Sequence, residues 1–187
     1  MRALAVLGLT SVLLLNAERL PPVDESTTDP EFLAFKVKLL GMLQRRELRS
    51  VQALAEPEAR SELTPASLPE LERVIRLGVA RDEGDFIAPY VFVRMPKDVD
   101  AYTHAAAIRP AVKVHKLPVA TAAVVDTLNY DVVELQRPAE HGWVEVRTPS
   151  DKTGWVLRHE LQSPLDYRAF FEKKDGQWRL TSFVRGD

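Results

Sequence analysis

Four histidines, His104, His115, His141 and His159, are the side chains of this 187-residue sequence best suited to neutral-pH proton transfer or metal ligation, since it contains no cysteine. None stands at His-x-x-x-His or His-Glu-x-x-His spacing, and the four fall on separate segments, so no metal site is expected. The absence of cysteine excludes thiol catalysis, disulfides and thiolate-bound metals. No Gly-x-Ser-x-Gly elbow is present to expose a nucleophilic serine, and no glycine loop could cradle a phosphate. Asp82, Glu83, Asp85, Asp98 and Asp100 cluster at helix ends and in loops, the pattern of a solvated face rather than of an acid–base pair. The sequence reads as non-enzymatic and without a cofactor.

Aromatic side chains offer different chemistry: flat surfaces against which an extended ligand can stack. Tyr130, Trp143 and Trp155 all stand near turns, and they are the candidate ligand-binding residues. Alternation places Trp143, Glu145 and Arg147 on one face of a strand and Val144 and Val146 on the other. The competing role for the two tryptophans is packing in the core and at a hinge. Lys113, Lys116, Arg147, Lys152 and Arg158 make their surroundings mildly basic.

The elements that must position these residues follow from periodicity. With 45% hydrophobic and 28% charged residues, the composition is globular. A net charge of −2 argues against a nucleic-acid partner bound by phosphate neutralisation. Met1-Arg2, the uncharged apolar run Ala3 to Leu15 and Asn16-Ala17 form a signal peptide over residues 1–17, with cleavage expected after Ala17. The run is too short to span a bilayer, and no later stretch approaches that length. A periplasmic or secreted protein is expected. Residues 18–28, rich in proline and acid, read as a flexible leader.

A helical segment over residues 29–100, with one β-leaning run, comes next. Thr28-Asp29-Pro30-Glu31 has a capping-box spacing, and Phe32, Phe35, Leu39, Met42 and Leu43 form a stripe widened by Leu33, Val37 and Leu40. A shorter helix is expected from Glu47 to Ala55. Ser67-Leu68-Pro69-Glu70 suggests a second capping box, opening a helix that runs until Gly84. Phe86 to Val93 is the β-leaning run, interrupted by Pro89. Strands are expected at Val112–His115, Ala122–Leu128, Val132–Leu135, Trp143–Arg147 and Gly154–Leu157, a spacing that suits a small barrel or sandwich. Over residues 164–187 a hairpin turns at Asp175-Gly176, pairing Phe171 with Leu180, Glu172 with Arg179 and Tyr167 with Val184.

Gly142-Trp143-Val144-Glu145-Val146, Lys152-Thr153-Gly154-Trp155-Val156 and the closing Leu161 resemble bacterial SH3-type domains. The likeness runs from about Ile108 to Leu161. Val112-Lys113-Val114-His115 with Pro118 resembles that family's opening strand but lacks the asparagine and arginine usual there, and Leu128-Asn129-Tyr130-Asp131-Val132 stands in place of its leucine–glycine–valine turn. The flanks are similar to those of bacterial exported proteins of unknown function that contain this domain. Phe86 to Tyr90 matches their aromatic-Ala-Pro-Tyr element, and the terminal hairpin matches theirs. The resemblance implies an SH3-like barrel over residues 108–163 and a place in the cell envelope.

The fold class expected is α+β: N-terminal helices, a small SH3-like barrel and a C-terminal hairpin. Phe170, Phe171, Trp178, Leu180 and Phe183 need cover, and the helices have an apolar face to give it. The hairpin is therefore expected to pack back on the helices, with the barrel inserted between the two halves. Helices with such a hairpin are similar to nuclear-transport-factor-like cone folds; the other arrangement is a plain helical domain with the hairpin extending the barrel.

Three functions follow as expectations. The first is a non-catalytic envelope binding module that grips an extended ligand through Trp143, Tyr130 and Trp155; the resemblance implies a peptidoglycan peptide or a protein segment. The second is an inhibitor or accessory protein of an envelope enzyme, acting through the acidic N-terminal part. The third is a small-molecule pocket lined by Phe35, Leu39, Phe171 and Trp178, which solid packing there would remove.

Overall fold

In the computed structural model, which describes residues 18–138 and 140–186, Asp29 opens the first helix, α1 (Pro30–Gln44). Its carboxylate accepts from the Glu31 and Phe32 amides, both at 3.0 Å. Thr28, expected as the capping residue, instead donates to the Glu25 carbonyl. Phe32, Leu39 and Leu43 of the expected stripe are buried, but Val37 is 62% exposed and Lys36 points inward in its place. The expected signal peptide and its cleavage site lie outside the described residues.

Two short helices follow, α2 (Leu48–Ala53) and α3 (Pro57–Glu62); periodicity indicated the first but is too brief to reveal the second. The next helix, α4 (Leu68–Arg76), has no side-chain cap, because Ser67 Oγ accepts from the Thr64 amide and donates to the Glu62 carbonyl. It ends at Gly78 (φ +111°) rather than at Gly84. Strands β1 (Ala80–Asp82) and β2 (Asp85–Ala88) then form a hairpin, and Glu83-Gly84, both at positive φ, make its turn. The β-leaning run thus divides at the cis Ala88–Pro89 bond: its first half is β2, and its second is the helical turn α5 (Tyr90–Arg94).

The barrel lobe holds β3 (His104–Ala107), β4 (Val112–His115), β5 (Val124–Leu128), β6 (Val132–Leu135), β7 (Trp143–Arg147), β8 (Thr153–Leu157) and β9 (Leu161–Gln162). They form one antiparallel sheet in the order β5-β4-β8-β7-β6-β3-β9. Four strands match the expected ones within a residue, and β5 starts two residues later than expected. Strands β3 and β9 were not anticipated, and the sheet begins before residue 108. Ala105, Ala107, Val112, Val114, Val144, Val146 and Val156 fill its interior.

The terminal hairpin, β10 (Arg168–Lys174) and β11 (Gln177–Val184), returns to the helices. Strand β10 pairs with β2, giving a second antiparallel sheet in the order β1-β2-β10-β11. The fold is therefore α+β, with the barrel inserted between the two halves of the helical lobe. Asp175 and Gly176 make the expected turn, and Phe171–Leu180 and Glu172–Arg179 pair as expected. Beyond them a bulge at Thr181 shifts the register, so Val184 faces Arg168 rather than Tyr167. The bulge has a clear cause. Trp178, Leu180 and Phe183 are spaced two and then three apart, and only an extra residue brings all three to the core side. Glu172 also ion-pairs with Lys174 rather than with Arg179, whose partner is Glu56 at 3.5 Å.

The leader expected to be flexible is an ordered strap across both lobes. Val132 donates to the Glu18 carbonyl at 3.0 Å, Leu20 donates to the Tyr130 carbonyl at 2.8 Å, and Arg19 pairs with Asp131 at 3.1 Å. The buried Tyr90 hydroxyl donates to the Leu20 carbonyl at 2.7 Å, and its pKa is pushed up to about 12, mainly by burial. Leu20, Ala80, Tyr90, Val91, Ala106 and Val132 form an apolar cluster that joins the lobes.

Further on, Asp24 receives the buried Lys36 ammonium, and Glu25 accepts from the Arg81 amide at 2.6 Å and pairs with Arg94. Burial pushes the Asp24 carboxyl up, but hydrogen bonds from Lys36 and Ser26 outweigh it and hold it below its usual value. Glu25 is lowered chiefly by the Arg81 amide, against some desolvation and with help from Arg94. Carboxyls depressed in the folded state stabilise it above their unfolded pKa, and that contribution disappears as pH falls through the folded value. The wild-type melting temperature should therefore fall more steeply than that of Asp24→Asn between about pH 5 and pH 3. Parallel curves would show that the clasp contributes nothing.

Candidate functional site

Each Gly-Trp element is positioned by its glycine for a different reason. His141 (φ +49°) and Gly142 (φ +81°) are consecutive left-handed residues, and Glu140 and Trp143 exchange hydrogen bonds across them, a tight turn that launches β7. Gly154 instead permits close approach: a Cβ there would lie 2.7 Å from the His115 carbonyl oxygen and from Val114 Cγ1. Strand β8 can thus sit hard against β4, which fixes Trp155 beside His115.

Alternation in β7 is as expected, with Val144 and Val146 inside and Trp143, Glu145 and Arg147 on the other face. Cross-strand pairing extends that outer face. Val124 pairs with His115, His115 with Trp155, and Trp155 with Glu145, so one row crosses β5, β4, β8 and β7. Trp143 stands next to the row, its ring edge-on to His115 at 5.3 Å and 83°. His115 Nδ1 lies 3.1 Å from the Ala122 carbonyl, tying the imidazole to the β4–β5 loop. That loop carries exposed Leu117 and Val119, and Val124 at its end is exposed as well.

The three candidate residues do not form one site. Trp143 and Trp155 come together, but Trp143 is only 8% exposed and offers no free stacking face, whereas Trp155 is half-buried. Tyr130 belongs elsewhere. It sits at positive φ before β6, and β6 pairs Glu134 with Arg147 and Leu135 with Val146, so Tyr130 and Trp143 lie at opposite ends of the β6–β7 ladder. Its carbonyl receives the strap at Leu20. Leu117, Val119 and Val124 were missed by the sequence reading, which weighed His115 only as a metal ligand. The alternation of Val112 and Val114 with Lys113 and His115 held a signal for His115; nothing local marks the loop residues as its neighbours.

Charged groups frame this face. Glu145 pairs with Arg137 at 2.9 Å, and Arg147 with Asp151 at 2.5 Å. Asp126 of β5 pairs with the interior Val114 and so lies on the opposite side of the sheet, where it accepts from Thr148 at 2.8 Å and from Ser150. Burial raises its carboxyl, but these hydroxyls outweigh it and hold the pKa below its usual value. The arrangement can grip an apolar segment along Trp155 and the β4–β5 loop and offer hydrogen bonds at its borders.

Elsewhere, Asp82, Glu83 and Asp85 fall on the β1–β2 turn, and Asp98 and Asp100 on the connection before β3. Among the described residues no group of histidines and carboxylates has the proximity to hold a metal ion. The pocket proposed from Phe35, Leu39, Phe171 and Trp178 is filled by packing. Leu39 and Phe171 are buried, and Phe35 meets the Phe171 ring edge-on at 5.9 Å. A depression of about 320 Å³ lies beside it, along Phe35, Leu54 and Trp178. Compared with known families and with curated proteins, the chain finds no match in either.

Proposed function

We propose that this protein is a non-catalytic binding module of the bacterial cell envelope that holds an extended peptide against the outer face of its barrel. The observation that carries this reading is the exposed apolar loop, Leu117, Val119 and Val124, set beside the half-buried Trp155. Apolar side chains exposed together next to an aromatic ring are a usual feature of peptide grooves. The resemblance of the Gly-Trp-Val pairs to bacterial SH3-type domains and the signal-peptide pattern of residues 1–17 point to the same compartment and ligand class. A peptidoglycan peptide is the occupant we favour.

Co-sedimentation with purified sacculi tests it. Wild type should be retained, Trp155→Ala should lose retention at a temperature where it is still folded, and Trp143→Ala should lose retention only as it unfolds. Lack of wild-type retention, or full retention by folded Trp155→Ala, would overturn the assignment of ligand or of face respectively.

A further inference from the structure

A second cleft, of about 540 Å³, opens where the lobes meet, lined among others by Arg73, Arg158, His159, Asp166, Tyr167 and Arg185. Three guanidiniums reach it from three stretches of chain. Two are held in place by the protein itself. Arg158 Nη2 donates to both oxygens of Asp166 at 2.5 and 2.6 Å, and Nη1 donates to the Leu161 carbonyl at 3.0 Å. Arg73 Nε donates to Glu70 at 2.8 Å, and Nη1 donates to Gln162 Oε1 across the lobe boundary at 2.9 Å. Among the described residues, Nη2 of Arg73 and Nε of Arg158 have no acceptor.

The third, Arg185, lies 5.7 Å from the centre of the Tyr167 ring and pairs with no carboxylate among the described residues. Among the described residues, Glu70 and Asp166 thus offset two of three positive charges in a concave site where Arg73 and Arg158 are already held in place. That is a receptor for one carboxylate, which a guanidinium fork binds in two parallel hydrogen bonds.

The cleft also adjoins the aromatic face. Arg158 donates its amide to the carbonyl of Gly142, which lines the cleft, and Trp143 faces Leu157 next to it. Trp155 lies about 10 Å further along β8, at ~3.3 Å per residue. An extended peptide seated on Trp155 therefore reaches the cleft with its third or fourth residue. We infer that the cleft binds a carboxylate of that peptide, at its C-terminus or on an acidic side chain, so that the ligand is an acidic peptide read by an apolar anchor and one charged end. The peptide's identity rests on the function proposed above; carboxylate capture by the cleft does not.

Three probes separate the possibilities: N-acetyl-trialanine with a free C-terminus, the same peptide as its amide, and the amide of acetyl-Ala-Glu-Ala. Each is titrated into the protein and followed through the backbone amide resonances of Gly142, His159 and Arg185. The free-carboxylate peptide, the glutamate peptide or both should give saturable shifts, and the trialanine amide should bind at least about tenfold more weakly. Arg185→Gln should weaken carboxylate binding about tenfold with an unchanged melting temperature. Equal shifts from the trialanine amide and the carboxylates, no shifts at all, or undiminished binding by Arg185→Gln would overturn the inference. Carboxylate binding without retention on sacculi would leave the cleft standing and overturn the ligand proposed for the aromatic face.

Discussion

Phe32→Ala should destabilise the protein by about 3–5 kcal/mol, the cost of removing a fully buried aromatic ring from a packed core. Phe32 lies among four rings, those of Phe35, Phe86, Phe171 and Trp178, contributed by α1, β2 and the terminal hairpin. It stacks on Phe86 at 3.8 Å and 9°, and it meets Phe171 at 5.5 Å and Trp178 at 5.0 Å edge-on. Its loss opens a void shared by α1, β2 and both strands of the terminal hairpin, and β2 and β10 are held in place by their mutual pairing. Urea denaturation of the variant should show a lower midpoint. A loss below about 1 kcal/mol would mean that the helices and hairpin do not share this core.

Trp143→Ala should cost a similar amount, about 3–5 kcal/mol, whereas Trp155→Ala should cost about 1–2 kcal/mol. The two tryptophans follow equivalent glycines in the sequence, yet their surroundings differ. Trp143 is enclosed with its ring edge-on to His115, and Trp155 keeps part of its surface in water. Trp143 is thus a packed neighbour of His115 on the outer face, and Trp155 is the side chain proposed to meet a ligand. Melting curves of the two variants decide the matter: equal losses would mean that Trp143 is as free to meet a ligand as Trp155.

The fold was legible wherever a local pattern had one tertiary solution. Alternation in Trp143–Arg147 and Val112–His115 placed those strands, and Asp175-Gly176 placed the hairpin turn, because period-two burial and left-handed turn residues act over a few positions. Failures occurred where a distant group decided the outcome. Lys36 rather than Val37 turns inward because Asp24, twelve residues earlier, supplies a counter-charge. Residues 18–28 carry the composition of a flexible leader but are ordered by edge hydrogen bonds and by the Tyr90 hydroxyl, partners that a composition argument does not contain. The halves of Phe86–Val93 have similar β-propensity, and only β10 pairing with the first half distinguishes them.

The candidate site divides in the same way. By itself the sequence determined the α+β class, the order of helices, barrel strands and hairpin, and the presence of two Gly-Trp elements on strands. These depend on hydrophobic period and turn chemistry within short windows. Tertiary structure alone decided that Tyr130 lies at the far end of the barrel, that Trp143 is packed and Trp155 partly free, and that three arginines meet between the lobes. Arg73, Arg158 and Arg185 are far apart along the chain and share no motif. What brings them together is the return of the terminal hairpin to the helices around an inserted barrel, a consequence of long-range burial that no local window of sequence records.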